Sequence, residues 1–155
     1  MESEWDWESG VGLLGLDDPE EWDAAFERGA DHLGTAAIGL AFQCALDAAS
    51  PRIARATQLP DLDQRGYALT AVGTAARLKG ELTSELYAAL RTEGPKGPAA
   101  DAINDTLAYV PFRKLPAWFK WRWVCATVRN AMEGWWLRSQ DAIGDAWRAL
   151  RDHRR

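Results

Sequence analysis

Apolar positions along this chain recur at helical spacing almost from end to end, and helix start and stop signals punctuate them. Asp18-Pro19-Glu20-Glu21 sets up the first start. The Asp18 carboxylate accepts from orphan amides, Pro19 suits the first helical position, and the acids meet the positive end of the helix dipole. Trp22, Ala25 and Phe26 then fall on one face. Residues 33–49 read as an apolar helix ending before Ser50-Pro51, and a short helix over about 51–58 stops at Leu59-Pro60-Asp61. Residues 63–79 predict a strong helix closed by Gly80, 82–92 another closed by the loop Thr92 to Gly97, and 98–109 one more before Pro111. A long aromatic helix comes next, from about 113 to 133, and a last helix from about 135 to 151. No stretch alternates with period two between hairpin turns, so no strand is expected. The opening segment differs, because Gly10, Gly12 and Gly15 would each cost about 1 kcal/mol relative to Ala in a helix interior. It reads as an extended or partly disordered acidic arm, residues 1–17, ahead of a single all-helical domain, 18–155.

One register recurs along the helices. Ala37-Ile38-Gly39, Ala71-Val72-Gly73, Ala102-Ile103-Asn104 and Ala142-Ile143-Gly144 begin at intervals in the thirties to forties, the spacing of two-helix repeats. A two-helix unit cannot bury its apolar face alone, and stacked neighbours complete the core. In the second unit, Asp61-Leu62-Asp63-Gln64-Arg65 is followed by Ala68, Ala71, Val72 and Gly73, and Glu81 to Leu90 supplies a second helix. This resembles a HEAT repeat, in which an acidic turn precedes Arg and Ala then recurs at three-residue spacing before an apolar residue and Gly. The third unit keeps Lys96, Ala99, Ala102 and Ile103, the first has Asp31 and Gly34 in the Arg and Ala positions, and the fourth has Trp136 and Ser139. The resemblance covers roughly residues 32–152 and implies an all-α fold, a short right-handed α-solenoid of about three to four helix pairs. An irregular helical bundle is the alternative.

Composition adds an asymmetry. The 155 residues suit one domain, and 47% hydrophobic residues supply enough apolar surface to offset the ordering entropy. Residues 1–31 carry eleven acids and one base, a net of −10, whereas residues 113–155 carry ten bases and four acids, a net of +6. The nine Trp share the same division: Trp5, Trp7 and Trp22 near the start, six between Trp118 and Trp147. Arg is preferred to Lys and Ala is abundant, a bacterial, high-GC composition.

Candidate chemistry is sparse. Cys44 and Cys125 each sit in an apolar helical pattern and read as small core hydrophobes. His32 and His153 lie far apart and no Cys/His cluster exists, so no metal or cofactor is expected. Gly10-Val11-Gly12-Leu13-Leu14-Gly15 has the bare spacing of a dinucleotide loop without a preceding strand. Asp17 to Glu21 is a helix cap before it is a cation site. No nucleophile, base and orienting carboxylate are grouped, which points away from an enzyme. The acidic start is unlike a signal peptide, and no apolar run approaches the roughly 20 residues that cross a bilayer. The cytoplasm, without membrane contact, is the expectation.

The unusual segment begins at Lys114, passes through Cys125 and extends to Trp136. Trp118, Trp121, Cys125, Val128 and Met132 trace one helical stripe, while Phe119, Trp123 and Ala126 lie on a second, with Lys120, Arg122 and Arg129 interleaved. A surface helix buries one such stripe, so this helix is either sandwiched or carries exposed aromatics. The adjacent Trp135 and Trp136 pose the same question. Trp118, Trp121, Arg122, Trp123, Arg129, Trp135 and Trp136 are therefore candidate partner-binding residues, Trp and Arg being enriched in binding hot spots. The first functional expectation is a non-enzymatic interaction module of adaptor or immunity type, whose partner is another protein. A HEAT-like nucleic-acid binder, with Arg113, Lys114, Lys120, Arg122 and Arg129 on phosphates, is the second. A small-molecule binder or enzyme with a Trp-lined pocket is the third. Glu4-Trp5-Asp6-Trp7-Glu8 further reads as a docking arm for a basic, aromatic groove, with Trp5, Asp6 and Trp7 as its contacts.

Overall fold

The Asp18 carboxylate accepts from the amides of Glu20 (2.9 Å) and Glu21 (3.3 Å) and opens the first helix, α1, Pro19–Glu27. In the computed structural model, which describes the backbone of residues 5–152 and the side chains of residues 5–136, six more helices come after it. They are α2 (Leu33–Gln43), α3 (Leu46–Ala56), α4 (Leu62–Lys79), α5 (Ser84–Glu93), α6 (Ala100–Tyr109) and α7 (Ala117–Asp152). Among the described residues there is no strand, so the chain is all-α. It divides into two compact units, Met1–Leu115 and Pro116–Arg155.

In the first unit α2 packs on α4 and α4 on α6, while α1 packs on α3 and α3 on α5. Small residues set how closely these helices approach. At Gly34 a Cβ would collide with the backbone carbonyl of Gln64 in α4, and at Gly73 it would press on Ala102 of α6. The Gln64 side chain then accepts from the amides of Gly34 (2.9 Å) and Thr35 (3.2 Å), capping α2 from the neighbouring helix. Three of the recurring triplets fall on α2, α4 and α6, with Ala37, Gly39, Ala71, Val72, Gly73, Ala102 and Ile103 buried and Asn104 exposed. The fourth, Ala142-Ile143-Gly144, lies outside the described side chains. Trp22 is fully buried, stacks on Phe26 with ring centroids 5.4 Å apart, and donates from Nε1 to the Leu33 carbonyl at 3.1 Å.

Several boundaries differ from the pattern reading. Pro51 does not end a helix: it lies inside α3, and the chain breaks earlier, at Cys44-Ala45, where both residues are extended. Burial of Ala49, Ile53 and Ala56 on one face of α3 outweighs the amide that Pro51 lacks. Arg52 reinforces that turn by donating to the Ala48 carbonyl at 2.8 Å and pairing with Asp23 of α1. The aromatic helix starts at Ala117 rather than 113, because Pro116 holds Leu115 in extended backbone after a 3-10 turn at Phe112–Lys114. It also runs without interruption to Asp152, so the two C-terminal helices expected on either side of Gly134 are one. A single glycine costs about 1 kcal/mol, and no proline or αL cap comes after it to stop the helix.

From residue 5 to 17 the opening segment is folded, not extended, and its first four residues lie outside the described ones. Asp6 accepts from the amides of Glu8 and Ser9, both at 3.0 Å, and from the Ser9 hydroxyl. Gly12, at φ 84°, leads into a 3-10 turn at Leu13–Gly15 that buries Leu13 and Leu16 completely. The Leu13 carbonyl approaches α2 where Gly39 leaves room for it. Glycines that disfavour a helix are what such turns require.

Candidate functional site

At 100° per residue, α7 gathers Trp121, Val124, Cys125, Val128, Met132, Trp135 and Trp136 into a sector about 120° wide. Trp121, Trp135 and Trp136 are 68%, 69% and 59% exposed, and Met132 and Val128 are exposed between them. With Arg129 and Glu133 on one rim, these residues line a single trough. One helix cannot enclose a volume, so this is an open apolar face and not a ligand cavity. An exposed patch of this kind marks a contact surface more often than chance surface apolarity does.

Of the predicted contacts, the structure brings Trp121, Arg129, Trp135 and Trp136 together on this face. Trp118 and Arg122 form a pair on its flank, the guanidinium standing 5.3 Å above the Trp118 ring. Phe119 is buried and meets Trp118 edge-on at 4.7 Å. Trp123 lies about 200° around the helix from Trp121, on the other side. The stripe therefore resolves the two overlapping series of aromatics: the first is exposed together from Trp121 onward, with Trp118 half-buried on the flank, and the second is split between buried Phe119 and exposed Trp123. Val124 and Glu133 are added by the structure, and their signals were i+3 from Trp121 and i+4 from Arg129. Cys125, expected in the core, is exposed on the same face. Cys44 is buried: its thiol donates to the Asp17 carbonyl at 3.3 Å, and burial pushes its pKa up.

The docking residues of the opening segment are held in the first unit. Trp7 is buried, donates from Nε1 to Glu21 at 2.8 Å, and lies under the Arg28 guanidinium, itself paired with Glu21 at 2.7 Å. Trp5 lies beside Gly12 and Gly15. Asp6 is occupied as the acceptor of its own turn, and the hydroxyl and amide of Ser9 hold its carboxyl below the ordinary value. The acids of this region that form ion pairs use nearby partners: Glu21 with Arg28, and Asp23 with Arg52 and Arg55.

Elsewhere a shallow concavity between α1, α2 and α4 is lined by Phe26, His32, Leu33, Asp61 and Gln64. His32 sits at φ 60° with its ring against Gly10 and donates from Nε2 to the Glu8 carbonyl at 3.2 Å. Asp61 caps α4 and Gln64 caps α2, so the polar groups here hold the fold together. Among the described residues, no group of three or more His, Cys, Asp or Glu is placed to hold a metal ion, and no helix is long and apolar enough to cross a membrane. Lys114, a candidate phosphate contact, is paired with Glu81 at 2.7 Å. No protein-family model, curated protein or solved structure matches this chain.

Proposed function

We propose that this chain is a non-enzymatic protein–protein interaction module of adaptor or inhibitor type, working in a bacterial cytoplasm. The observation that carries the reading is the exposed stripe of α7, where three Trp share one open face with Val128 and Met132 and an Arg–Glu rim. Trp and Arg around a dry apolar centre are the composition of a binding hot spot. A phosphate-binding role is less well supported, since Lys114 is engaged by Glu81 and Arg122 lies over Trp118. The first unit is then a short HEAT-like solenoid that acts as a scaffold. Its support is the succession α2–α4–α6 beside α1–α3–α5, with the recurring triplets on the first of these rows.

The test is affinity capture with purified full-length protein from the source cells, repeated with Trp121→Ala and Trp135→Ala. Both side chains are mostly exposed, so both variants should keep the wild-type circular dichroism while losing the captured protein. Folded variants that retain every partner would remove α7 as the contact face. Capture of nucleic acid alone, with an affinity that falls steeply as salt rises, would replace the protein reading.

A further inference from the structure

The stripe on α7 has a spacing that specifies its occupant more narrowly. Trp121, Cys125, Val128, Met132 and Trp135 alternate steps of four and three residues, the repeat with which one helix meets another along its length. α7 has 36 residues, so it offers about 54 Å of continuous helix. Taking about 200 Å² for a whole Trp side chain, Trp121, Trp135 and Trp136 together expose about 400 Å². With Val124, Val128 and Met132 the stripe reaches about 650 Å², close to the roughly 800 Å² per partner of a stable protein interface.

The charges on the rim select among the partners a helix could take. Arg129 and Glu133 stand one turn apart on the same edge, so the edge carries both signs and complements itself. When two such helices run antiparallel about Asn130, Val128 faces Met132 of the second copy and Cys125 faces its Trp135. The two Arg129 and two Glu133 then gather on one side as a compensated cluster. Running parallel, Arg129 instead faces Val124 and the acids are left unused. A lipid surface would favour an edge of basic residues alone.

We propose that the α7 stripe pairs with the α7 stripe of a second copy of this chain, antiparallel and two-fold symmetric. The proposal rests on reading the stripe as a protein contact, and names its occupant.

Sedimentation equilibrium of the full chain tests it. The wild type should be a dimer with a micromolar or tighter dissociation constant. Val128→Glu, at the centre of the stripe, should be a monomer at about 100 µM with unchanged circular dichroism. Trp135→Ala should weaken the dimer about thirtyfold or more, and Asn130→Glu, on the opposite side of α7, should leave it intact. Glu133→Arg, which turns the rim wholly basic, should also weaken it. A wild type that is monomeric at about 100 µM overturns the proposal, as does a folded Val128→Glu that still dimerises. A monomer that captures a different protein through Trp121 and Trp135 overturns self-pairing but leaves the interaction reading in place. A monomer that captures none removes both, and a monomer that binds anionic phosphatidylserine vesicles through Trp121 replaces them with a lipid contact.

Discussion

The first unit and α7 handle hydrophobic residues in opposite ways. In the first unit the small residues are hidden: Ala36, Ala37, Ala68, Ala71 and Ala76 have no exposed surface, and Gly34 and Gly73 sit where neighbouring helices come closest. In α7 the large residues from Trp121 to Trp136 are open, with Trp121 and Trp135 more than two-thirds exposed. Intrinsic hydrophobicity does not rank these positions. What decides burial is whether a neighbouring element covers the face, and several helices packed through small residues leave few large gaps for Trp to fill. Trp22 and Trp7 are exceptions, buried in the first unit with their Nε1 groups satisfied by the Leu33 carbonyl and by Glu21.

The largest effect that would separate the two regions comes from one substitution made twice. Trp22→Ala removes a fully buried ring and the indole bond to the Leu33 carbonyl, so it should cost about 3–5 kcal/mol in urea unfolding. Trp135→Ala, measured at high dilution so that association does not contribute, should stay within about 0.5 kcal/mol of wild type. Equal losses at the two sites would mean that α7 is covered, and the contrast between the regions would fail.

The second test concerns glycine and stays inside the scaffold. Gly34→Ala places a methyl group against the Gln64 backbone and should destabilise by about 1–3 kcal/mol. Gly66→Ala, within α4 and with open space around the added Cβ, should stabilise by up to about 1 kcal/mol. Thermal unfolding monitored by circular dichroism checks both signs. Two stabilising outcomes would show that the helices can part without loss, and that the small residues do not set their spacing.

Much of this contrast is legible in the sequence, and for identifiable reasons. Local chemistry reads well: Asp18 and Asp61 cap the helices they precede, and Gly80 ends α4 at φ 64°. These are short-range signals that need no tertiary partner. Pro51 and Gly134 mislead because a breaker acts against the whole packing energy of its helix, which a local pattern does not contain. The glycines of the opening segment speak only against a helix, and the burial of Trp7, Leu13 and Leu16 depends on residues of α1 and α2. At the candidate site, the excess of aromatics over one buried stripe is visible in the spacing. Which series is exposed is not, since periodicity gives the angle between two side chains and not the direction in which either faces.

Thiol reactivity offers a smaller and independent measure. Cys125 on the open face should react with a chromogenic disulfide reagent as an ordinary exposed thiol at high dilution. Cys44 should react about 100-fold more slowly or only after unfolding, because the thiolate is the reactive form and burial both raises its pKa and blocks approach. Two equally fast thiols would place Cys44 at the surface. At dimer-forming concentrations Cys125 should slow as well, which links this measurement to the pairing of α7.

The smallest expected effect is a response to pH confined to the first unit. Asp6 is exposed, and the Ser9 hydroxyl and amide favour its charged form, holding its pKa below the ordinary 3.8. A carboxyl whose folded-state pKa is lowered contributes stability that is complete above the unfolded value and is lost as pH falls through the folded one. The opening turn should therefore hold at neutral pH and loosen only in acid, below about pH 4. Asp6→Asn should remove that component and leave the response of the rest of the unit unchanged. The readout is the acid midpoint of the Trp7 indole NH resonance in the otherwise unaltered chain, Trp7 being buried by the same segment. Because α7 contains no part of this turn, its helicity should not track the Asp6 titration. A coincident loss of helix throughout the chain would show that the opening segment supports more than its own unit.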